Sequence, residues 1–92
     1  MKLEIAQIRP CITDKDKIMA KAYLNREIDF VKAVKNLSSH FNFVVKSDEL
    51  KAIKIEEGGS IILIFSNGEI TLRQMDSEKQ IFEIARKIAE LV

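Results

Sequence analysis

A single cysteine and a single histidine are the side chains from which nucleophilic or metal chemistry could be built in this chain. Cys11 directly follows Pro10, and a cysteine acts as a nucleophile only when a base lies beside it in the fold. His40 has no second histidine or acid at ligand spacing, although a zinc site needs three or four ligands. We therefore interpret Cys11 as a small buried side chain and His40 as a surface or helix-end residue, and we predict no metal site.

Two further groups of residues suggest chemistry but are better explained as turns. Asp14, Asp16 and Asp48 lie among lysines, which is typical of solvated turns. Gly58-Gly59 lacks the GxxxxGK pattern of a phosphate-binding loop and fits a hairpin turn instead. No combination of residues predicts catalysis, so we expect a non-enzymatic protein without a cofactor.

The composition indicates one small folded domain over residues 1–92. Lys and Arg number 15 against 14 Asp and Glu, whereas dedicated nucleic-acid or anionic-membrane binders usually carry a basic excess. The start of the chain lacks the apolar core of a signal peptide, and the apolar run 61–65 is too short to cross a membrane. We predict a soluble cytoplasmic protein without membrane contact, and the abundance of Lys, Glu and Ile favours a heat-adapted source.

Hydrophobic patterns divide the first half of the chain into a bend, a strand and a helix. Residues 2–8 fit an edge strand or a lead-in, and Pro10 predicts a bend because it cannot donate to a ladder. Residues 17–24 alternate as a strand. Asn25 fits an N-cap, which predicts a helix over about 26–38. The apolar stripe of this helix recurs every three residues, at Ile28, Val31, Val34 and Leu37.

The second half predicts a meander of strands followed by a helix. Strand-like segments cover residues 43–46, 49–56, 61–65 and 69–73. Asn67-Gly68 between the last two is a strong hairpin signal. Ser77 with Gln80 has the spacing of a capping box and opens an amphipathic helix. Its apolar stripe contains Ile81, Ile84, Ala85, Ile88 and Leu91.

These elements predict an α+β domain with the order β-α-β-β-β(-β)-α. Strands in hairpin succession form antiparallel pairs, so we expect a single antiparallel sheet with two helices on one face. The other face then stays open, yet residues 61–65 are apolar on both sides. Residues 1–12 could fold over the open face, or a second subunit or partner could cover it. We favour an intermolecular cover because the N-terminal segment is short.

The run IILIFSNGEITLRQMDSEKQIFEIARKIAELV, residues 61–92, resembles half of the TATA-binding protein saddle, whose repeat ends in a comparable hairpin and a long helix. Residues at matching places are Phe65, Gly68, Ser77, Glu78 and Ala85 to Lys87. The resemblance implies a TATA-binding-protein-like fold. Carrying over the nucleic-acid binding of that family would require a homodimer whose open sheet face matches the family's, with phenylalanine wedges for the minor groove.

The candidate sheet-face residues are Leu63, Phe65, Thr71 and Arg73. The first three fit the binding face of that family, whereas Arg73 stands where a threonine is usual. Asp48 and Leu50 stand near the place of the family's other phenylalanine. Which side of the strand is open depends on the turn. A strict two-residue hairpin loop would put Phe65 inside with Ile70 and Leu72, and a turn bulge would reverse this.

A second resemblance covers nearly the whole chain. The stretches IRPCITDKDKI, IDFVKAVKNL and EEGGSIILIF look like the small N-terminal domain of certain archaeal and bacterial iron–sulfur proteins, which precedes a cysteine-rich cluster domain. Cys11 is the only cysteine of this chain, so it cannot ligate a cluster alone. The resemblance implies an iron–sulfur or redox context and a protein partner that carries such a centre.

The residues therefore predict a self-associating or partner-binding module, most simply a homodimer that meets through the open sheet face or the sheet edge. Nucleic-acid binding through the open face of a homodimer is the alternative. An enzyme or redox carrier that uses Cys11 is a third hypothesis.

Overall fold

The strands of this chain form one antiparallel sheet in a computed structural model that describes residues 3–11, 16–49 and 51–92. The strands are β1 (Glu4–Pro10), β2 (Ile18–Tyr23), β3 (Phe43–Ser47), β4 (Ala52–Glu57), β5 (Ser60–Phe65) and β6 (Glu69–Met75). Helix α1 (Phe30–Ser38) lies between β2 and β3 in the chain, and α2 (Glu78–Leu91) follows β6. The spatial order of the strands is β1-β2-β6-β5-β4-β3, which makes β1 and β3 the two edges.

The predicted α+β class and antiparallel sheet are confirmed, but the order of elements differs from the predicted one. Two strands precede α1, because residues 4–10 pair with β2 as a true strand. Residues 3–11 therefore do not cover a sheet face. Pro10 is accommodated because it ends an edge strand, where a missing N–H breaks no central ladder.

Both helices pack on one face of the sheet, which we call the helix face. Its apolar side chains on the four inner strands are at most 1 % exposed: Ala20, Ala22, Ile53, Ile55, Ile62, Ile64, Ile70 and Leu72. Ala33 and Leu37 of α1 and Ile81 and Ile88 of α2 complete the same core. Burying each large aliphatic side chain contributes about 1.5 to 3 kcal/mol to folding. The predicted placement of two helices on one face is confirmed.

Helix α1 begins later than the sequence predicts. Asp29 is the N-cap, and its carboxylate accepts hydrogen bonds from the backbone N–H groups of Val31 and Lys32. Asn25, predicted as the N-cap, has a φ of 56° and lies in the turn after β2. Val31 of the predicted apolar stripe is 78 % exposed, because residues three apart drift by about 60° per step around a helix and α1 buries the side that carries Ala33 and Leu37.

The predicted N-cap of α2 is confirmed. Ser77 accepts a hydrogen bond from the N–H of Gln80 at 3.1 Å. The Gln80 side chain accepts from the N–H of Asp76 at 2.6 Å, one residue earlier than a capping box requires. At the other end, the carbonyls of Leu91 and Val92 accept hydrogen bonds from Asn36 and Arg26. These bonds fix α2 against α1 and the β2–α1 loop.

The two hairpins that flank β5 have different loops. Gly58 and Gly59 form a two-residue loop between the paired residues Glu57 and Ser60, and both glycines have positive φ. The next loop has three residues, 66–68, because Ile64 pairs with Ile70. Only Gly68 in this loop has a positive φ, so the two-residue alternative at Asn67-Gly68 is wrong. The extra loop residue turns Ile64, and not Phe65, toward the helices.

Two bulges interrupt the sheet. The register of β1 against β2 shifts between Ala6 and Arg9, and Gln7 there has a φ of 56°. On β6, Gln74 has a φ of 55°, and the bulge turns Met75 into the core. The buried hydroxyl of Ser60 donates to the Gln74 carbonyl at 2.9 Å and satisfies the group that the bulge leaves unpaired.

Candidate interaction surface

Cys11 and His40 each make hydrogen bonds within their own part of the fold. Cys11 is buried at the end of β1, and its N–H donates to the Lys17 carbonyl at 2.9 Å. His40 lies exposed after α1, where Nδ1 is 3.3 Å from the Asn36 carbonyl oxygen. Cys11 fits the interpretation as a buried side chain, and His40 fits a helix-end residue.

The predicted solvated acids are only partly described. Asp14 lies outside the described residues, as does Leu50. Asp16 and Asp48 are exposed, and Asp48 lies 3.8 Å from the Lys46 ammonium. Across the described ranges, no group of three or more His, Cys, Asp or Glu side chains is arranged to hold a metal ion. Among the described helices none is long and apolar enough to span a membrane.

Two shallow concavities lie on the described surface. One, of about 350 Å³, surrounds the Gly58-Gly59 turn and reaches Phe43 and Ile61. The other, of about 590 Å³, lies between β1 and α2, where Leu3, Ile5 and Phe82 form the apolar part. Ala89 and the charged residues Glu83, Arg86 and Glu90 complete the lining of the second concavity. Neither set contains a cysteine or a histidine.

The sheet face opposite the helices, here called the open face, contains all four predicted site residues. Cross-strand pairing places Thr71 beside Leu63 and Arg73 beside Ile61. Phe65 follows two residues after Leu63 on the same side of β5. The structure therefore brings Leu63, Phe65, Thr71 and Arg73 together, with Arg73 exposed and the other three half-buried.

The centre of the open face is less accessible than the apolar sequence of β5 suggests. Leu63 lies between Thr71 on β6 and Lys54 on β4, and Ile61 lies between Arg73 and Glu56. Long side chains such as Lys54 and Arg73 cover apolar neighbours with their aliphatic stems. The neighbours of β5 thus supply much of the cover that the sequence seemed to require from another molecule.

The most exposed apolar side chains of the open face lie at its edge. Phe43 and Val45 on β3 are 65 % and 60 % exposed, respectively. They are separated from Ile61 and Leu63 by one strand, where the Lys54 ammonium lies 3.0 Å from the Glu56 carboxylate. The sequence analysis missed this site, although Phe43 and Val45 stand two residues apart and therefore share a face.

Charges on the open face are partly paired. Lys21 lies 3.3 Å from Glu69, and Lys54 pairs with Glu56. Arg9 and Arg73 are exposed cations of the same face, and no ion-pair partner lies beside either of them among the described residues. A surface of this kind has little of the basic excess that attracts a phosphate backbone.

The chain matches no sequence profile of a known protein family and no curated protein sequence.

Proposed function

We propose that this chain is a non-enzymatic self-association module, in which two copies meet through the apolar surface of the sheet and its edge. The observation that carries the proposal is the exposure of Phe43 and Val45, 65 % and 60 %, side by side on an edge strand. Single exposed apolar residues are ordinary, but adjacent ones on an unpaired edge are typical of an association site.

Phe43 and Val45 form a small apolar patch, and its size limits the strength of the dimer that it can form alone. Complete burial of a side chain such as Phe43 or Val45 contributes about 1.5 to 3 kcal/mol. Two copies bring four such side chains to the contact, and each is already partly buried in the monomer. Association costs roughly 4 to 15 kcal/mol, and burial of these four side chains offsets only a cost near the lower end of that range. A stable dimer must therefore bury further surface next to the patch.

The test is the mass in solution. We expect light scattering to give a mass near twice 10.5 kDa at high micromolar concentration and a lower mean mass on dilution. Phe43→Ser should shift the equilibrium toward monomer because it removes the larger of the two exposed apolar side chains, Phe43 and Val45. Phe82→Ser is the matched control, since Phe82 is 52 % exposed on α2, away from the patch. A monomer throughout the high micromolar range would contradict the proposal.

The two sequence resemblances add a proposed fold type, a second candidate function and a proposed partner. The β5–β6 hairpin followed by the long helix α2 supports one TATA-binding-protein-like repeat. Nucleic-acid binding through the open face is the second candidate, and the paired charges of Lys21 and Lys54 count against it. Salt-dependent retention of duplex DNA that is lost in Phe65→Ala would favour it. A partner with an iron–sulfur centre rests on the second resemblance alone.

A further inference from the structure

The two edges of the sheet differ in their capacity to accept another strand. The β1 edge carries the bulge at Gln7 and ends at Pro10, and both features interrupt regular pairing. The β3 edge has neither, since all five residues from Phe43 to Ser47 pair in unbroken register with β4. Its outer backbone groups are therefore regularly spaced, which makes β3 the edge that a further strand can join.

The helix layer beside this edge is also apolar. Asn36 donates to the Leu91 carbonyl at 2.9 Å, which identifies the side of α1 that faces α2. At 100° per residue, Val31 and Val34 lie about 140° and 160° from Asn36 around the helix. Helix α1 packs on β3 and α2 packs on β6 and β2, so the side of α1 away from α2 faces the β3 edge. Val31 is 78 % exposed there, and Val34 is half-buried.

We infer that a second copy of this chain joins the β3 edge, with the two β3 strands antiparallel and the twofold axis at Val45. This inference rests on the proposed self-association and specifies its geometry. The two sheets become one continuous sheet, and the exposed sides of the two α1 helices approach each other over the junction. A lone peptide strand would cover the β3 edge but leave Val31 and Val34 in water, whereas a second copy covers both layers.

The sequence of β3 fits this register. A twofold axis at Val45 overlaps all five strand residues and places Val45 opposite its own copy and Phe43 opposite Ser47 of the second copy. On the open face, each Phe43 then lies diagonal to Val45 of the other copy, a separation that an aromatic side chain spans. Lys46 falls opposite Val44, so the two lysines are not opposed, and each keeps its own Asp48 at 3.8 Å.

A charge-reversal pair at Val45 tests this register. Val45→Lys and Val45→Glu each place like charges directly opposite at the twofold axis, which is destabilising across an antiparallel pair. Both changes lie at a 60 % exposed edge position opposite Lys54 of the same chain, so the free energy of unfolding of each variant is measured beside its dimerisation. We expect each variant to weaken the dimer about tenfold or more by sedimentation equilibrium. An equimolar mixture of the two should recover a dimer, since Lys then faces Glu.

Two control variants separate this geometry from other modes of association. Phe82→Lys changes an exposed apolar residue on α2, and Arg73→Glu changes the centre of the open face; we expect both to dimerise like the unaltered chain. A chain that is monomeric without any substitution would overturn the proposed function itself. A dimer that resists Val45→Lys but is weakened by Arg73→Glu would overturn only the edge geometry and assign the contact to the face centre. A mixture of Val45→Lys and Val45→Glu that stays monomeric, with each variant folded by circular dichroism, would overturn the twofold axis at Val45.

Discussion

At the scale of the single residue, Gly68 is more tightly constrained than Gly58 and Gly59. Its φ is 91°, which L side chains rarely adopt, and a Cβ there would lie 2.4 Å from the Arg26 carbonyl oxygen. The two residues lie this close because the hairpin loop 66–68 is hydrogen-bonded to the segment that follows β2. The Gly68 carbonyl accepts from the N–H of Leu24 at 3.0 Å, and the Ser66 carbonyl accepts from the N–H of Ile28 at 2.8 Å.

We therefore expect Gly68→Ala to lower the free energy of unfolding by about 2 to 3 kcal/mol, measured by urea denaturation, because strain and a backbone clash add. Gly59→Ala is the matched control. Gly59 also has a positive φ, 87°, but nothing lies within 4 Å of its Cβ position. It should cost only about 1 kcal/mol, the strain alone. Equal losses in both variants would show that the contact with Arg26 carries no energy.

At the scale of the element, α1 shows how a cap determines where a helix begins. A start at Asn25 would have made Ile28 a residue of the first turn. The start at Asp29 leaves Ile28 before the helix, buried with its N–H bonded to Ser66, while Val31 is exposed. Val31, which enters the inferred dimer contact, therefore lies in the first turn of α1 and not in its middle.

We expect Asp29→Ala to destabilise the fold by about 1 kcal/mol, because two N–H groups of the first turn lose their acceptor. Asp29→Asn keeps an oxygen acceptor at the same place and should lose much less. Urea midpoints of the two variants against the unaltered chain measure both effects. Similar losses in Asp29→Ala and Asp29→Asn would mean that the negative charge at the helix start, and not the hydrogen bonds, stabilises α1.

At the scale of the whole molecule, the inferred contact is built mainly from apolar side chains, and Lys46 of β3 is paired with Asp48 of its own chain. Screening by salt weakens ionic contacts between molecules but not apolar ones. We expect the dimer dissociation constant to stay the same or fall between about 50 and 500 mM salt, because salt strengthens apolar burial when it acts at all. Sedimentation equilibrium at several salt concentrations measures this. A dimer that dissociates as salt rises would identify an ionic contact in place of the β3 edge.

Local patterns in the sequence were sufficient for most of the elements. Alternation identified β2, Asn67-Gly68 identified the β5–β6 hairpin, and the Ser77 cap with its apolar stripe identified α2, because these signals depend on neighbours within a few residues. The predicted start of α1 was wrong because Asn25 and Asp29 are both good capping residues. The choice between them depends on a distant contact, since the N–H of Ile28 donates to the Ser66 carbonyl and holds the chain between them outside the helix.

The chain by itself determined that residues 61–65 would carry an apolar side chain on both faces, and that Leu63, Phe65, Thr71 and Arg73 would be candidates for a shared surface. The tertiary structure decided which face each occupies, since one extra residue in the 66–68 loop reverses the sides of β5. It also decided where apolar surface stays exposed, because exposure depends on which strands become neighbours. Leu63 gained Lys54 and Thr71 as neighbours, whereas Phe43 and Val45 lie on the last strand, with a neighbour on one side only.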